Sequence, residues 1–229
     1  MFADNYAWLL RESGTGATAI VDPADPEAVL AATGHQLATI LLTHHHADHT
    51  AGTDEVRART GATVVGARAD AHRLPRLDTG VAEGDTIAFG NTRARIIETP
   101  GHTRGHIAFF FPDDALLFCG DTLFSLGCGR LLEGTAAEMF ASLAKLAALP
   151  PETRVFCGHE YTAGNAHFAL TVEPDNAALQ ARAAEVTRLR AAGTPTVPSI
   201  LAEELAANPF MRAPTAARLG EIRAAKDRF

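Results

Sequence analysis

The chain has 229 residues, 47% hydrophobic and 21% charged, which is enough to bury a large core and build one main domain with a smaller appendage. Its formal charge is -7 and its Lys and Arg are scattered rather than striped, which excludes a surface made for nucleic acid or anionic membrane; an anionic substrate would need a local cationic pocket. The three cysteines, Cys119, Cys128 and Cys157, are odd in number and lack CxxC spacing, giving neither a disulfide framework nor a thiolate zinc knuckle.

Residues 1–10 carry Asp4 and Asn5 with no basic stretch, and no apolar run reaches the ~18 to 20 residues of a membrane span, so cytoplasmic residence is expected. Strand patterns follow at Tyr6–Arg11, Ala17–Asp22, Ala38–Thr43, Ala62–Gly66, Arg93–Glu98, His106–Phe111 and Ala115–Cys119. Helical spacing interleaves at Pro26–Ala32, Thr50–Arg59 and Ala136–Leu149, the last with Thr135 as N-cap and Glu138 three residues on. A strand at Thr153–Cys157 closes the series. Strands with helices between and outside them predict an α/β sandwich with helices covering the sheets. From about Tyr161 no strand-like run appears. Helical spacing over Asn176–Ala192, a short helix at 201–207, a turn at Asn208-Pro209-Phe210 and a final helix make this a helical C-terminal region. Trp8 reads as a core residue.

Four histidines and an aspartate lie within His44-His45-His46-Ala47-Asp48-His49, directly after an apolar strand. Imidazole and carboxylate together are the ligand set of zinc, iron or manganese. Three later strands each end at a glycine followed by one more candidate ligand: Gly101-His102, Gly120-Asp121 and Gly158-His159. A glycine there lets the backbone turn sharply and aim the next side chain into a shared edge pocket. Seven ligands exceed what one tetrahedral zinc with an open position takes, whereas two metals ~3.5 to 4 Å apart, sharing a carboxylate, would use them all.

The HxHxDH pattern at 44–49 with His102, Asp121 and His159 resembles the metallo-β-lactamase superfamily, whose members fold as an αββα sandwich with the metals at one edge. Asp4-Asn5-Tyr6, Pro100-Gly101-His102-Thr103, Gly120-Asp121-Thr122-Leu123-Phe124, Gly127-Cys128-Gly129, Glu133-Gly134-Thr135, Gly158-His159-Glu160-Tyr161-Thr162, Asn208-Pro209-Phe210-Met211-Arg212 and Lys226-Asp227 narrow the likeness. Across its whole length the chain is similar to the glyoxalase II family, the hydroxyacylglutathione hydrolases. The resemblance implies a catalytic domain over 1–162 and a helical glutathione-binding domain over 163–229. It assigns His44, His46 and His102 to one metal, Asp48, His49 and His159 to the second, and Asp121 to both, leaving His45 outside the ligand set. It assigns glutathione to Arg130, Tyr161, Asn165, Arg223 and Lys226. Arg130 stands where many members carry lysine and keeps the charge; Leu132 stands where some carry tyrosine and removes a hydroxyl. Arg223 and Lys226, three apart on a helix, share a face where two cations would clamp a carboxylate.

The implied cofactors are two divalent ions, zinc foremost, with iron or manganese as the other candidates. The implied reaction is metal-dependent hydrolysis of S-(2-hydroxyacyl)glutathione, S-D-lactoylglutathione above all, to glutathione and D-lactate in methylglyoxal detoxification. A metal-bound hydroxide, held through Asp48 and Asp121, would be the nucleophile. The partner would be a small molecule, with no nucleic acid and no membrane, and the enzyme a monomer. The alternative is an iron-dependent dioxygenase of glutathione persulfide on the same scaffold. His35, His72, His106 and His167 read as structural or exposed, and Cys119 and Cys157 as small buried hydrophobes.

Overall fold

In the computed structural model, which describes residues 4–229, the chain divides into two compact units: residues up to Glu98 with Gly105–Gly120, and Thr99–Arg104 with Asp121–Phe229. Residues 1–3 of the stretch read above for a targeting signal lie outside the described residues. Among the described residues no helix is long and apolar enough to cross a membrane.

The first unit begins with β1 (Trp8–Arg11), β2 (Thr18–Val21), α1 (Pro26–Thr33), β3 (Thr39–Leu41), α2 (Ala47–Thr50), α3 (Thr53–Thr60), β4 (Thr63–Ala67) and β5 (Thr79–Val81). These strands form one sheet in order β1-β2-β3-β4-β5, antiparallel between β1 and β2 and parallel thereafter. Each parallel step needs a crossover, and α1 and α3 supply two of them. The Asp25 side chain caps α1 by accepting from Ala28 N–H, Pro26 opens it, and Gly34 ends it with φ +57°. The unit continues as an antiparallel meander of β6 (Thr86–Phe89), β7 (Thr92–Glu98), β8 (Ile107–Phe111) and β9 (Leu116–Gly120). Every residue of β8 is buried, so both faces of that strand are covered, as its uninterrupted apolar run requires.

The second unit holds β10 (Leu123–Phe124), β11 (Gly127–Cys128), α4 (Ala136–Ala147), β12 (Arg154–Cys157), α5 (Thr162–Val172), α6 (Ala177–Ala191), β13 (Ser199–Ile200), α7 (Leu201–Ala207) and α8 (Ala216–Asp227). A complete capping box of Thr135 and Glu138 starts α4, which buries Met139, Ser142, Leu143 and Leu146 on one stripe. Asn176 caps α6 and Thr215 caps α8. Leu126, at the tip of the β10–β11 hairpin, packs with Ala166, Ala169, Leu179, Ala183 and Ala207 in a cluster drawn from α5, α6 and α7.

Three expectations need correction. A short strand, β13, follows Tyr161 after all and pairs antiparallel with β12 through Val155↔Ser199. The helix expected from Thr50 begins at Thr53, because Gly52 separates it from α2; a Cβ on Gly52 would lie 2.5 Å from the Pro23 carbonyl oxygen, so only glycine fits. Trp8 is only partly buried and stacks on Tyr6 with ring centroids 4.8 Å apart, as suits a strand at the sheet edge.

Candidate metal centre

In the first unit β3 runs into Thr43-His44, and α2 starts at Ala47 with His46 as its N-cap, which puts Asp48 and His49 in the first turn. Asp22, directly after β2, is 2% exposed and holds φ +52°, a conformation costly for a non-glycine residue. Its carboxylate accepts from Thr43 N–H at 2.9 Å, from the Thr43 hydroxyl at 2.7 Å and from His49 Nδ1–H at 3.0 Å. Having donated its only proton to Asp22, the Thr43 hydroxyl accepts from His44 Nδ1–H at 3.0 Å. This chain of bonds leaves the Nε2 lone pairs of His44 and His49 available to a metal. His44 Nε2 faces His46 Nδ1 at 3.1 Å, and Asn5 Nδ2 donates to Asp48 at both its carbonyl oxygen (3.0 Å) and its carboxylate (3.2 Å). His45 turns elsewhere, its Nδ1 3.1 Å from Asp70 Oδ2. His106 is fully buried and its ring stacks on His44 at 4.8 Å.

In the second unit His102 and Asp121 each follow a glycine with positive φ, Gly101 at +152° and Gly120 at +46°. Gly158, before His159, is not among the positive-φ glycines, so the turn there is made without that freedom. His102 Nδ1–H donates to the Arg130 carbonyl at 2.9 Å, fixing the tautomer that leaves Nε2 as the ligand atom. Both His102 Nε2, at 3.5 Å, and His159 Nε2, at 3.3 Å, face the same oxygen, Asp121 Oδ2.

These spacings fit a metal polyhedron. With donors 2.0 to 2.1 Å from a tetrahedral zinc, neighbouring ligand atoms sit roughly 3.3 Å apart. The 3.1 Å of His44–His46 and the 3.5 and 3.3 Å of the two Asp121 pairs match it, and His49 Nε2 to Asp48 Oδ2, at 3.8 Å, is only slightly wider. The His and Asp groups within each unit therefore have spacings that suit ligation of a divalent metal.

Five further residues were expected to bind substrate. All lie in the second unit. Tyr161 is 40% exposed, its ring flat on His159 at 4.5 Å and 4°. Arg130 is exposed, with Nε 3.8 Å from Asp227 Oδ1. Lys226 donates to the Gly164 carbonyl at 2.9 Å and lies over the rings of Phe168 and Phe229. Asn165 and Arg223 are buried: Asn165 donates to the Ser125 carbonyl at 3.1 Å, and Arg223 to the Cys128 carbonyl at 2.7 Å while pairing with Asp227 at 3.0 Å. Leu132 is 59% exposed. Cys128 and Cys157 are fully buried, and burial pushes both thiols up to about 12, far from a reactive thiolate.

The sequence reading missed Asp22, Asn5, Asp70 and Thr43 as orienting groups. Two of them left a signal, Asp22 as an acidic residue set directly after an apolar strand and Asn5 within the Asp4-Asn5-Tyr6 motif.

Histidine motif and fold together define a metallohydrolase of the metallo-β-lactamase type, and comparison with known proteins agrees. Residues 3–159 match the model of the metallo-beta-lactamase superfamily and residues 160–229 that of the hydroxyacylglutathione hydrolase C-terminus. A hydroxyacylglutathione hydrolase of Acidiphilium cryptum is 59% identical, covering 100% of this chain and 94% of that protein; one of Rhodospirillum rubrum is 57% identical over 94% and 86%. Among solved structures, ETHE1 from Myxococcus xanthus superposes with TM-score 0.71 at 25% identity, covering 96% of this chain and 85% of that one. TTHA1623 in a di-iron-bound form gives 0.60 at 32% identity, over 68% and 87%. The chain belongs to the hydroxyacylglutathione hydrolase family, with the αββα metallo-β-lactamase sandwich and a helical C-terminal domain.

Proposed function

We propose that this protein hydrolyses the thioester of S-(2-hydroxyacyl)glutathione, S-D-lactoylglutathione above all, releasing glutathione and a 2-hydroxy acid, D-lactate, in methylglyoxal detoxification. The observation that carries the reading is Asp121 Oδ2 between two histidine Nε2 atoms, His102 and His159, which suits one carboxylate oxygen shared by two ions. His44, His46 and His102 would hold the first ion and Asp48, His49 and His159 the second, with Asp121 common to both. Zinc is the first candidate, with iron or manganese next. The two ions would supply Lewis acidity and, at neutral pH, an activated water.

The chain's own residues do the rest. Asp22, Thr43 and the Arg130 carbonyl fix histidine tautomers, and Asn5 holds the Asp48 carboxylate in place. A departing thiolate, with a thiol pKa near ~8.5, needs no dedicated general acid. In place of the Arg223/Lys226 clamp expected from helix spacing, Arg130 and Lys226 would bind the carboxylates of glutathione, because Arg223 is buried and already engaged by the Cys128 carbonyl and Asp227; Tyr161 would cover the approach beside His159, and Asn165 and Arg223 would form the buried floor of the pocket. In this reading residues 1–162 are the hydrolytic domain and 163–229 the glutathione-binding one. The enzyme is a cytoplasmic monomer acting on a small molecule rather than on nucleic acid or a membrane surface, in line with its charge of -7. A glutathione persulfide dioxygenase is not favoured, since relatives 52 to 59% identical over nearly the whole chain are named hydroxyacylglutathione hydrolase.

Asp121→Ala tests the assignment. It should lose bound metal and at least ~1,000-fold of thioester turnover, as removal of a ligand common to two ions requires. Near wild-type turnover in a folded Asp121→Ala protein would refute the site.

A further inference from the structure

Glu204, on α7, is a carboxyl group 1% exposed that the proposed chemistry does not use. Burial raises its pKa. A buried carboxyl is costly unless it is hydrogen-bonded, and its bonds converge on the turn of the β10–β11 hairpin. Leu126 N–H donates to Glu204 Oε2 at 2.8 Å, and Asn208 Nδ2 donates to the same oxygen at 3.1 Å. The Asn208 amide also donates to the Phe124 and Gly127 carbonyls, at 3.1 and 3.0 Å. Leu126 holds φ +58°, a left-handed conformation unfavourable for leucine, and its side chain is buried among the helices. Five consecutive residues of the turn, Phe124 to Cys128, are thus gripped through their backbone by side chains of the C-terminal region: Asn208, Asn165, Glu204, Asn208 again and Arg223.

The hairpin joins a proposed ligand, Asp121, at one end and, at the other, residues packed against and bonded to a second one, His102. Asp121 is two residues before β10. After β11, Gly129 lies so close that a Cβ there would sit 2.0 Å from the Asp121 carbonyl oxygen and 3.0 Å from His102 Cβ. The next residue, Arg130, offers the carbonyl that fixes the His102 tautomer. A shift of the turn by a few tenths of an ångström would therefore reach both side chains.

We propose that Glu204, with Asn208, is a positioning pair for the metal centre: it holds the β10–β11 turn in its strained form and so sets Asp121 and His102. The inference rests on the metal-site reading above.

Because both bonds fall on Oε2, an amide in place of the carboxyl keeps them and an isobutyl group does not. The test compares Glu204→Gln with Glu204→Leu in the full-length, metal-replete protein, measuring zinc affinity by chelator competition together with kcat and KM. Glu204→Gln should stay within about threefold of wild type in zinc affinity and kcat. Glu204→Leu should bind zinc about 10- to 100-fold more weakly, with kcat falling and KM within about twofold, the size expected for losing a group that orients ligands. A folded Glu204→Leu with wild-type zinc affinity, or Gln and Leu variants equally impaired, would overturn the proposal. Should Glu204→Leu fail to fold, Asn208→Asp, which removes the amide donors to Phe124 and Gly127, should show the same loss of zinc affinity; wild-type affinity there would overturn it. A wild-type protein that binds no zinc, iron or manganese would sink the metal-site reading itself, an outcome distinct from either variant result.

Discussion

Lys226 stands half-buried over two phenylalanine rings, with Arg223 and Arg130 nearby. Burial first, and the two guanidinium groups next, lower its pKa from the ordinary 10.5. The sign follows directly: the ammonium is present below the lowered pKa and lost as pH rises through it, before an ordinary lysine would titrate. If Lys226 binds a substrate carboxylate, KM should climb with pH from below 10.5, with kcat changing less. Lys226→Ala should raise KM about tenfold at neutral pH with kcat within about twofold and flatten that alkaline rise; an unchanged KM would remove Lys226 from the pocket. At this scale the ligand pattern was legible because HxHxDH sets four candidate ligands just beyond a buried apolar strand. The orienting roles were only faintly legible, since Asp22 and Thr43 acquire theirs when the fold brings them to a histidine nitrogen, and Asn5 when it reaches the Asp48 carboxylate.

At the scale of elements, α4 shows how local sequence sets a boundary. The Thr135 hydroxyl accepts from Glu138 N–H at 3.2 Å, and the Glu138 carboxylate accepts from Thr135 N–H at 2.7 Å. The Thr135 hydroxyl, donating to that carboxylate at 2.9 Å, and then the Thr135 N–H hold the Glu138 carboxyl below its usual range. Thr135→Ala should cost about 1 kcal/mol, read as a fall in Tm of roughly 2 to 4 °C for a chain of this size, with turnover little changed; no shift would mean the cap is redundant. Long elements with such signals were predicted to within a few residues. The short pieces, β5, β6, β10, β11 and β13, were not, because two to four residues carry little periodicity and their pairing depends on distant partners, and α5, which starts without a side-chain cap, was covered only by the general helical reading after Tyr161. The β10–β11 turn is the extreme case, stabilised by Asn165, Glu204, Asn208 and Arg223 from far along the chain.

At the scale of the whole molecule, the chemistry is distributed along the sequence. His44, His46, Asp48 and His49 belong to the first compact unit, and His102, Asp121 and His159 to the second, as do the residues proposed to bind glutathione. Neither unit carries the full ligand set, so the account requires the intact chain. Thioester hydrolysis directed by glutathione is tested by kcat/KM of the metal-replete protein on S-D-lactoylglutathione and on the same acyl group carried by N-acetylcysteamine. The expected kcat/KM is on the order of 10^5 per molar per second for the glutathione thioester, within the usual enzymatic range, and at least ~100-fold less for the truncated one. Equal rates on both would contradict glutathione recognition, and no turnover of either, with metal content verified, would contradict the hydrolase itself.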